Sequence, residues 1–145
     1  MTRSGRSLAT LATALFLAAC AARQAVPLDE PPADVMISDR LFFGRDIPGG
    51  GTVSDADWAS FLEEVVTPRF PDGLTVWRAD GQWLDEEGRT IREPVLVVEV
   101  LHPSGVEHDR AVAEIADEYR RRFHQEAVLR VTMEARTRLF EQEVP

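Results

Sequence analysis

Six residues of this chain have the chemical types that could bind a small ligand together. Arginine can donate two parallel hydrogen bonds to a carboxylate or phosphate, and an aromatic ring can stack on a ligand. If the turn after the first predicted helix lies beside the first predicted hairpin, these side chains form a small pocket. The alternative is a structural network, in which Arg69 pairs with Asp72 or Glu93 and Trp83 covers the core. The six candidates are Arg69, Phe70, Asp72, Trp83, Arg92 and Glu93.

Most other groups that catalysis uses are missing from the sequence. Cys20 is the only cysteine, and no serine occupies a G-x-S-x-G turn. All sixteen basic residues are arginine, which excludes Schiff-base lysines and a P-loop. The sequence therefore predicts no catalytic residue.

Metal and phosphate sites are disfavoured by spacing and charge. His108 and His124 are sixteen residues apart on one predicted helix, which places them about 160° apart around its axis. The run Gly49-Gly50-Gly51 before a helix start could hold a phosphate, but Asp55 and Asp57 at that start would repel it. We expect a flexible loop there, and we predict no metal site and no cofactor.

The composition is that of one ordinary globular domain. The chain has 145 residues, of which 44% are hydrophobic and 28% charged. A single cysteine allows no intrachain disulfide. The net charge of −9 opposes nucleic-acid binding, which requires clustered cations.

Residues 1–19 are typical of a signal peptide. Arg3 and Arg6 precede an uncharged run from Leu8 to Ala19, about 18 Å long as a helix and too short to span a hydrocarbon core of about 30 Å. Residues 20–33 are rich in proline and are expected to form an extended tether. Residues 34–145 are expected to form the single folded domain.

The run Leu17-Ala18-Ala19-Cys20 resembles the lipobox of bacterial lipoproteins. The resemblance implies cleavage before Cys20 and acylation of that residue, including an amide-linked chain such as palmitate. Each buried methylene contributes about 0.8 kcal/mol, so several chains anchor a protein permanently. Ala21, where an Asp would retain such a protein at the inner membrane, implies an outer-membrane position facing the periplasm.

The remaining pattern is strand, helix, strand, strand, helix, strand. Trp58, Phe61, Leu62 and Val65 form one apolar stripe of a helix that Ser54 begins. The order predicts an α+β fold of the ferredoxin-like split βαβ (βαββαβ) type. Right-handed crossovers then give a four-stranded antiparallel sheet, in the order 4-1-3-2, with two helices on one face.

The opposite face of this sheet, called the free face here, is covered by no predicted element. Phe42 and Trp77 are candidates for it. The last strand alternates apolar residues from Leu129 with polar residues from Arg130, and we expect the polar set on the free face. We also expect a bulge at Asp80-Gly81. A second copy of the chain could pair through this face.

Several short runs between residues 41 and 93 form a recognisable set. They are Leu41-Phe42-Phe43-Gly44, Val53-Ser54, Trp58, Phe61, the run from Thr67 to Val76 (TPRFPDGLTV), Gly81-Gln82-Trp83 and Arg92-Glu93. On these residues, about half of the domain resembles a family of uncharacterised bacterial lipoproteins, known only as a domain of unknown function. Pro94-Val95 departs from the family pattern, which has a serine near a basic residue at this point. The resemblance implies the class of protein and the leader, and no mechanism.

These features predict a membrane-anchored envelope lipoprotein, held by lipid on Cys20, whose domain is a non-catalytic ligand-binding or protein-interaction module. The alternative is a small enzyme of the dimeric α+β barrel kind, acting on a small organic substrate. Such enzymes use few polar groups, so a missing motif does not exclude one. A free face that carries Phe, Trp and Val around a concave pocket with one buried arginine or histidine would favour an enzyme or a ligand-binding module, and a face covered in Arg, Glu and Thr would favour a simple scaffold.

Overall fold

The computed structural model describes residues 33–85 and 87–140. The predicted signal peptide, Cys20 and residues 21–32 of the tether lie outside the described residues. Among those described, no helix is both long and apolar enough to cross a bilayer. The elements are β1 (Asp34–Gly44), α1 (Asp55–Phe61), a π-helical turn (Leu62–Val66), β2 (Thr75–Leu84), β3 (Thr90–His102), α2 (Val106–Phe123) and β4 (Leu129–Thr137).

The four strands form one antiparallel sheet in the order β2-β3-β1-β4. This is the predicted order seen from the other edge. The predicted α+β, ferredoxin-like βαββαβ fold is therefore confirmed.

The first helix begins where the sequence predicts it. Ser54 accepts a hydrogen bond from the backbone N–H of Asp57, and the Asp57 carboxylate accepts one from the backbone N–H of Ser54. This capping box satisfies N–H groups that the first turn leaves unpaired. Trp58 and Phe61 then point into the core.

An aromatic cluster joins both helices to the sheet. Phe43 of β1 packs against Tyr119 of α2 at 4.6 Å and against Trp58 of α1 at 5.4 Å between ring centres. The Tyr119 hydroxyl donates to the carbonyl of Gly44 at 2.9 Å. The phenol is fully buried, and that burial raises its pKa. These contacts fix the helices on the face that carries Leu41 and Phe43.

The expected bulge at Asp80-Gly81 is wrong. The pairing of β2 with β3 runs without interruption from Thr75 opposite Glu99 to Leu84 opposite Thr90. A Cβ atom on Gly81 would lie 2.6 Å from a methyl group of Val95. The glycine therefore permits a close side-chain approach rather than an extra residue.

The expected orientation of β4 is also wrong. Arg130 and Thr132 lie on the helix-facing side of the sheet, where both donate hydrogen bonds to Asp39 of β1. Leu129 and Met133 consequently lie on the free face. The buried carboxylate of Asp39 decides the orientation, because a buried charge requires partners.

Candidate functional site

The predicted six-residue pocket does not form. Arg69 follows α1, and its guanidinium donates to the Val65 carbonyl at 2.8 Å and to Glu114 at 3.4 Å. Trp83 lies at the far end of β2, eight residues beyond Thr75, which is about 26 Å along a strand. The two halves of the cluster are therefore separated.

The pairings of the alternative network do not form either. Arg69 pairs with Glu114 rather than with Asp72 or Glu93. Trp83 is 45% exposed and so does not cover the core. Asp72 is exposed, and Arg92 donates to Gln82 at 3.0 Å.

The free face is apolar and aromatic. Trp77, Val97, Phe42 and Leu129 lie side by side in one row across all four strands. The presence of Phe42 and Trp77 on this face agrees with the sequence expectation. Trp77 is 36% exposed and Leu129 59% exposed, while Val97 in the same row is fully buried. The partly exposed ring of Trp77 is a surface on which a planar ligand can stack.

A polar group interrupts this apolar face in the adjoining row. Glu99 Oε1 accepts hydrogen bonds from the Ser38 hydroxyl at 2.7 Å and from Arg40 Nε at 2.9 Å. We call Ser38, Arg40 and Glu99 the Glu99 cluster. The hydrogen bond from Ser38, with the Arg40 bond and charge, lowers the pKa of Glu99. The carboxylate is therefore held ionised.

Trp77 and the Glu99 cluster form one continuous surface. The Arg40 guanidinium carbon lies 6.0 Å from the centre of the Trp77 ring. Both hydrogen bonds within the cluster end on Oε1 of Glu99, so Oε2 takes no part in them. The surface can therefore offer a carboxylate oxygen, guanidinium donors and an aromatic ring together.

A second acid–aromatic pair lies on the same face, nearer the hairpin. Trp83 Nε1 donates to Glu93 Oε1 at 2.9 Å. The Glu93 carboxylate lies directly over Gly44, where a Cβ atom would be 2.5 Å from Oε2. Two of the six predicted residues thus contact each other, on the hairpin to which the sequence assigned both.

A buried ionic network lies on the helix side of the sheet. Asp39 is fully buried and accepts hydrogen bonds from Arg130 at 2.7 and 2.8 Å, from Thr132, and from His102 at 3.0 Å. Burial raises the pKa of Asp39, but these hydrogen bonds outweigh it and lower the pKa from 3.8 to about 2. The Asp39 pairing raises the pKa of Arg130.

His102 is held from both sides of its ring. Nε2 faces the ionised Asp39, and Nδ1 faces the carbonyl oxygen of Pro103 at 2.8 Å. The ring also stacks on His108, with centres 5.0 Å apart, and contacts Phe70 at 5.6 Å. This saturated network orients the sheet edge and leaves Asp39 no lone pair for a ligand.

The sequence interpretation missed the residues of both polar clusters. Asp39 was not among the six candidates, although it shares the buried side of the strand with Leu41 and Phe43. Ser38 and Arg40 alternate with it on the other side. The available signal was a charged residue at a buried position in a strand. Its partners on β3 and β4 could be located only from the register of the strands. Among the described residues, no group of three or more potential ligands is placed to bind a metal.

The fold and the free face define the class of this protein: a ferredoxin-like α+β domain with an aromatic sheet face and an embedded ionic cluster. Residues 38–139 match the family described as "Protein of unknown function (DUF3574)". The chain belongs to that family, in agreement with the resemblance found in the sequence. No curated protein matches the chain.

Two solved structures share the fold. One is a phage SAM lyase in complex with S-methyl-5'-thioadenosine, with a TM-score of 0.54 and 16% identity, covering 79% of this chain and 99% of the other. The other is a phage SAM lyase in the apo state, with a TM-score of 0.53 and 15% identity, covering 74% and 94%. At this identity the likeness establishes the fold alone.

The comparison corrects one expectation. The domain was expected to be a non-catalytic ligand-binding or protein-interaction module. Both similar structures are of an enzyme, and the free face is aromatic and apolar rather than polar. The expectation of a non-catalytic module is therefore wrong.

Proposed function

We propose that this domain is a small enzyme that acts on a small organic substrate bound at the free face. One observation carries the proposal: the Glu99 cluster lies ionised within an apolar face beside Trp77. A carboxylate, a guanidinium and an aromatic ring lie together on this surface, and each can contact a ligand of suitable charge or shape. A substrate that carries a cation, an anion and a ring could contact all three.

S-adenosylmethionine is the substrate class that we propose. Its sulfonium and ammonium groups are cations suited to Glu99 Oε2, its carboxylate suits the guanidinium of Arg40, and its adenine ring can stack on Trp77. A cation near an indole ring gains a further attraction. The names of the two similar structures support the choice, and the charges of the site support it independently.

Two ligands that differ in charge test the proposal. S-adenosylmethionine is charged, whereas S-methyl-5'-thioadenosine keeps the adenosine part without the amino-acid group or the sulfonium. The variant Glu99→Gln should weaken binding of S-adenosylmethionine by about tenfold or more, the value of one charged hydrogen bond. It should change binding of S-methyl-5'-thioadenosine little. Isothermal titration calorimetry measures both.

The matched control is Glu63→Gln, which alters an exposed carboxylate on the π-helical turn and should leave both affinities unchanged. Turnover is followed by chromatography as loss of S-adenosylmethionine in the presence of the wild-type chain. If neither compound binds and none is consumed, the proposal is wrong. An equal effect of Glu99→Gln on both ligands would remove Glu99 from the site.

The lipid anchor stays a prediction, because Cys20 lies outside the described residues. If it is correct, it places this enzyme on the outer membrane, facing the periplasm.

A further inference from the structure

We infer that the free face is covered by a second copy of this chain, which completes the substrate site. The inference goes beyond the proposed function, and its observations are separate: the apolar exposure of the face, its area, and the lack of depth of the site in one copy.

Five large apolar residues on this face are partly exposed. Trp77, Trp83, Leu101, Leu129 and Met133 are each 36% to 59% exposed, and the strand register places all five on the free face. Monomeric proteins seldom expose contiguous apolar patches larger than a few hundred Å². A face of this composition is typical of an interface.

The area of the face is enough for a specific dimer. Four strands about 4.8 Å apart, with about nine residues of about 3.3 Å each, give a face of about 600 Å². Two copies would therefore bury about 1,200 Å² in total, the lower limit for stable specific interfaces. Two antiparallel sheets also pack face to face in many folds.

The charge of the face permits self-association. The chain as a whole carries −9, so two copies repel each other at long range. At the centre of the face, however, Arg40 pairs with Glu99 at 2.9 Å and neutralises it. A twofold contact through this face therefore places a neutral centre, surrounded by apolar residues, against the same surface of the other copy.

The site is open in a single copy. The Glu99 cluster itself lies on the sheet surface, where water competes for each hydrogen bond. A second sheet over the face excludes water, which strengthens the electrostatic contacts of Glu99.

Analytical ultracentrifugation of residues 33–145 tests the inference, because Ala33–Pro145 forms a separate compact unit with its own core. The wild-type protein should sediment with twice the monomer mass. Leu129→Asp places a charge in the apolar contact and should give a folded monomer by circular dichroism. If Leu129→Asp does not fold, Met133→Asp makes the same test at a second position.

The control is Val106→Asp, which changes an apolar residue that is 73% exposed at the start of α2 and should stay dimeric. A wild-type monomer, or a dimer that survives both Leu129→Asp and Met133→Asp, overturns the inference. The full-length Cys20→Ser protein should also be a dimer. If it is a monomer while residues 33–145 form a dimer, the inference is wrong, because the tether rather than a second copy would then cover the face. A monomer that still binds S-adenosylmethionine would leave the proposed function standing.

Discussion

At the scale of single residues, two carboxylates on one strand pair have different tasks. Asp39 is saturated with hydrogen bonds from three side chains and serves the fold. Glu99 keeps one oxygen outside its internal bonds and faces away from the core. Both groups are carboxylates, and the side of the sheet on which each one lies decides its role.

Asp39 should control the acid stability of the domain. Its pKa is about 2 in the folded state against 3.8 otherwise, so the unfolded chain binds the proton more tightly. The carboxylate therefore contributes about 2 kcal/mol to the free energy of unfolding above pH 4. This contribution should be lost as the pH falls from about 4 to about 2. Urea unfolding followed over this pH range measures it.

The variant Asp39→Asn should lower the free energy of unfolding at neutral pH by about 3 kcal/mol, because it removes the buried carboxylate that Arg130, Thr132 and His102 contact. It should also flatten the acid dependence. Asp72→Asn, at an exposed position, is the matched control and should unfold like the wild type. Equal acid profiles for wild type and Asp39→Asn would show that the network carries no such energy.

At the scale of elements, the sequence predicts most of the fold, but it does not predict which side of the edge strand β4 faces the helices. Periodicity and caps locate the two helices and the four strands, because these signals are local. The alternation in β4 separates its residues into two sets, but only Asp39 on β1 decides which set faces the helices. A glycine within a strand suggested a bulge at position 81. Glycine is required there instead because a side chain would clash with a methyl group of Val95 on the neighbouring strand.

In the candidate site, too, local signals are predictable from the sequence and contacts between strands are not. Phe42 and Trp77 were placed correctly, because their strands and parity are evident from the sequence. The Glu99 cluster was missed, since its members come from β1 and β3 and meet only through the observed register. Arg69 and Trp83 were joined wrongly, because the length of β2 separates them.

The cap of α1 gives a direct test at this scale. Ser54→Ala removes the hydrogen bond to Asp57 N–H and should lower the free energy of unfolding by about 1 kcal/mol. Ser60→Ala, an exposed position inside the same helix, should have no such cost, because alanine is the better helix former. Thermal unfolding compares the two. If both variants melt alike, the capping box does not stabilise the domain.

At the scale of the whole molecule, one sheet separates two kinds of surface. The helix side holds the aromatic core and the Asp39 network, and the free face holds the Glu99 cluster within an apolar rim. The proposed enzyme uses the second surface. Its rigidity comes from the first, because every strand that carries a site residue is fixed by the core behind it.

The three tryptophans of the chain allow the most direct test of the central claim that substrate binds at the free face. Trp77 lies beside the Glu99 cluster and Trp83 beside Glu93, while Trp58 is 6% exposed in the core. Their indole N–H signals can be followed by NMR during titration with S-adenosylmethionine. We expect the Trp77 signal to shift most and that of Trp58 to stay in place. A spectrum in which Trp77 does not move, or in which only Trp58 moves, would contradict the account.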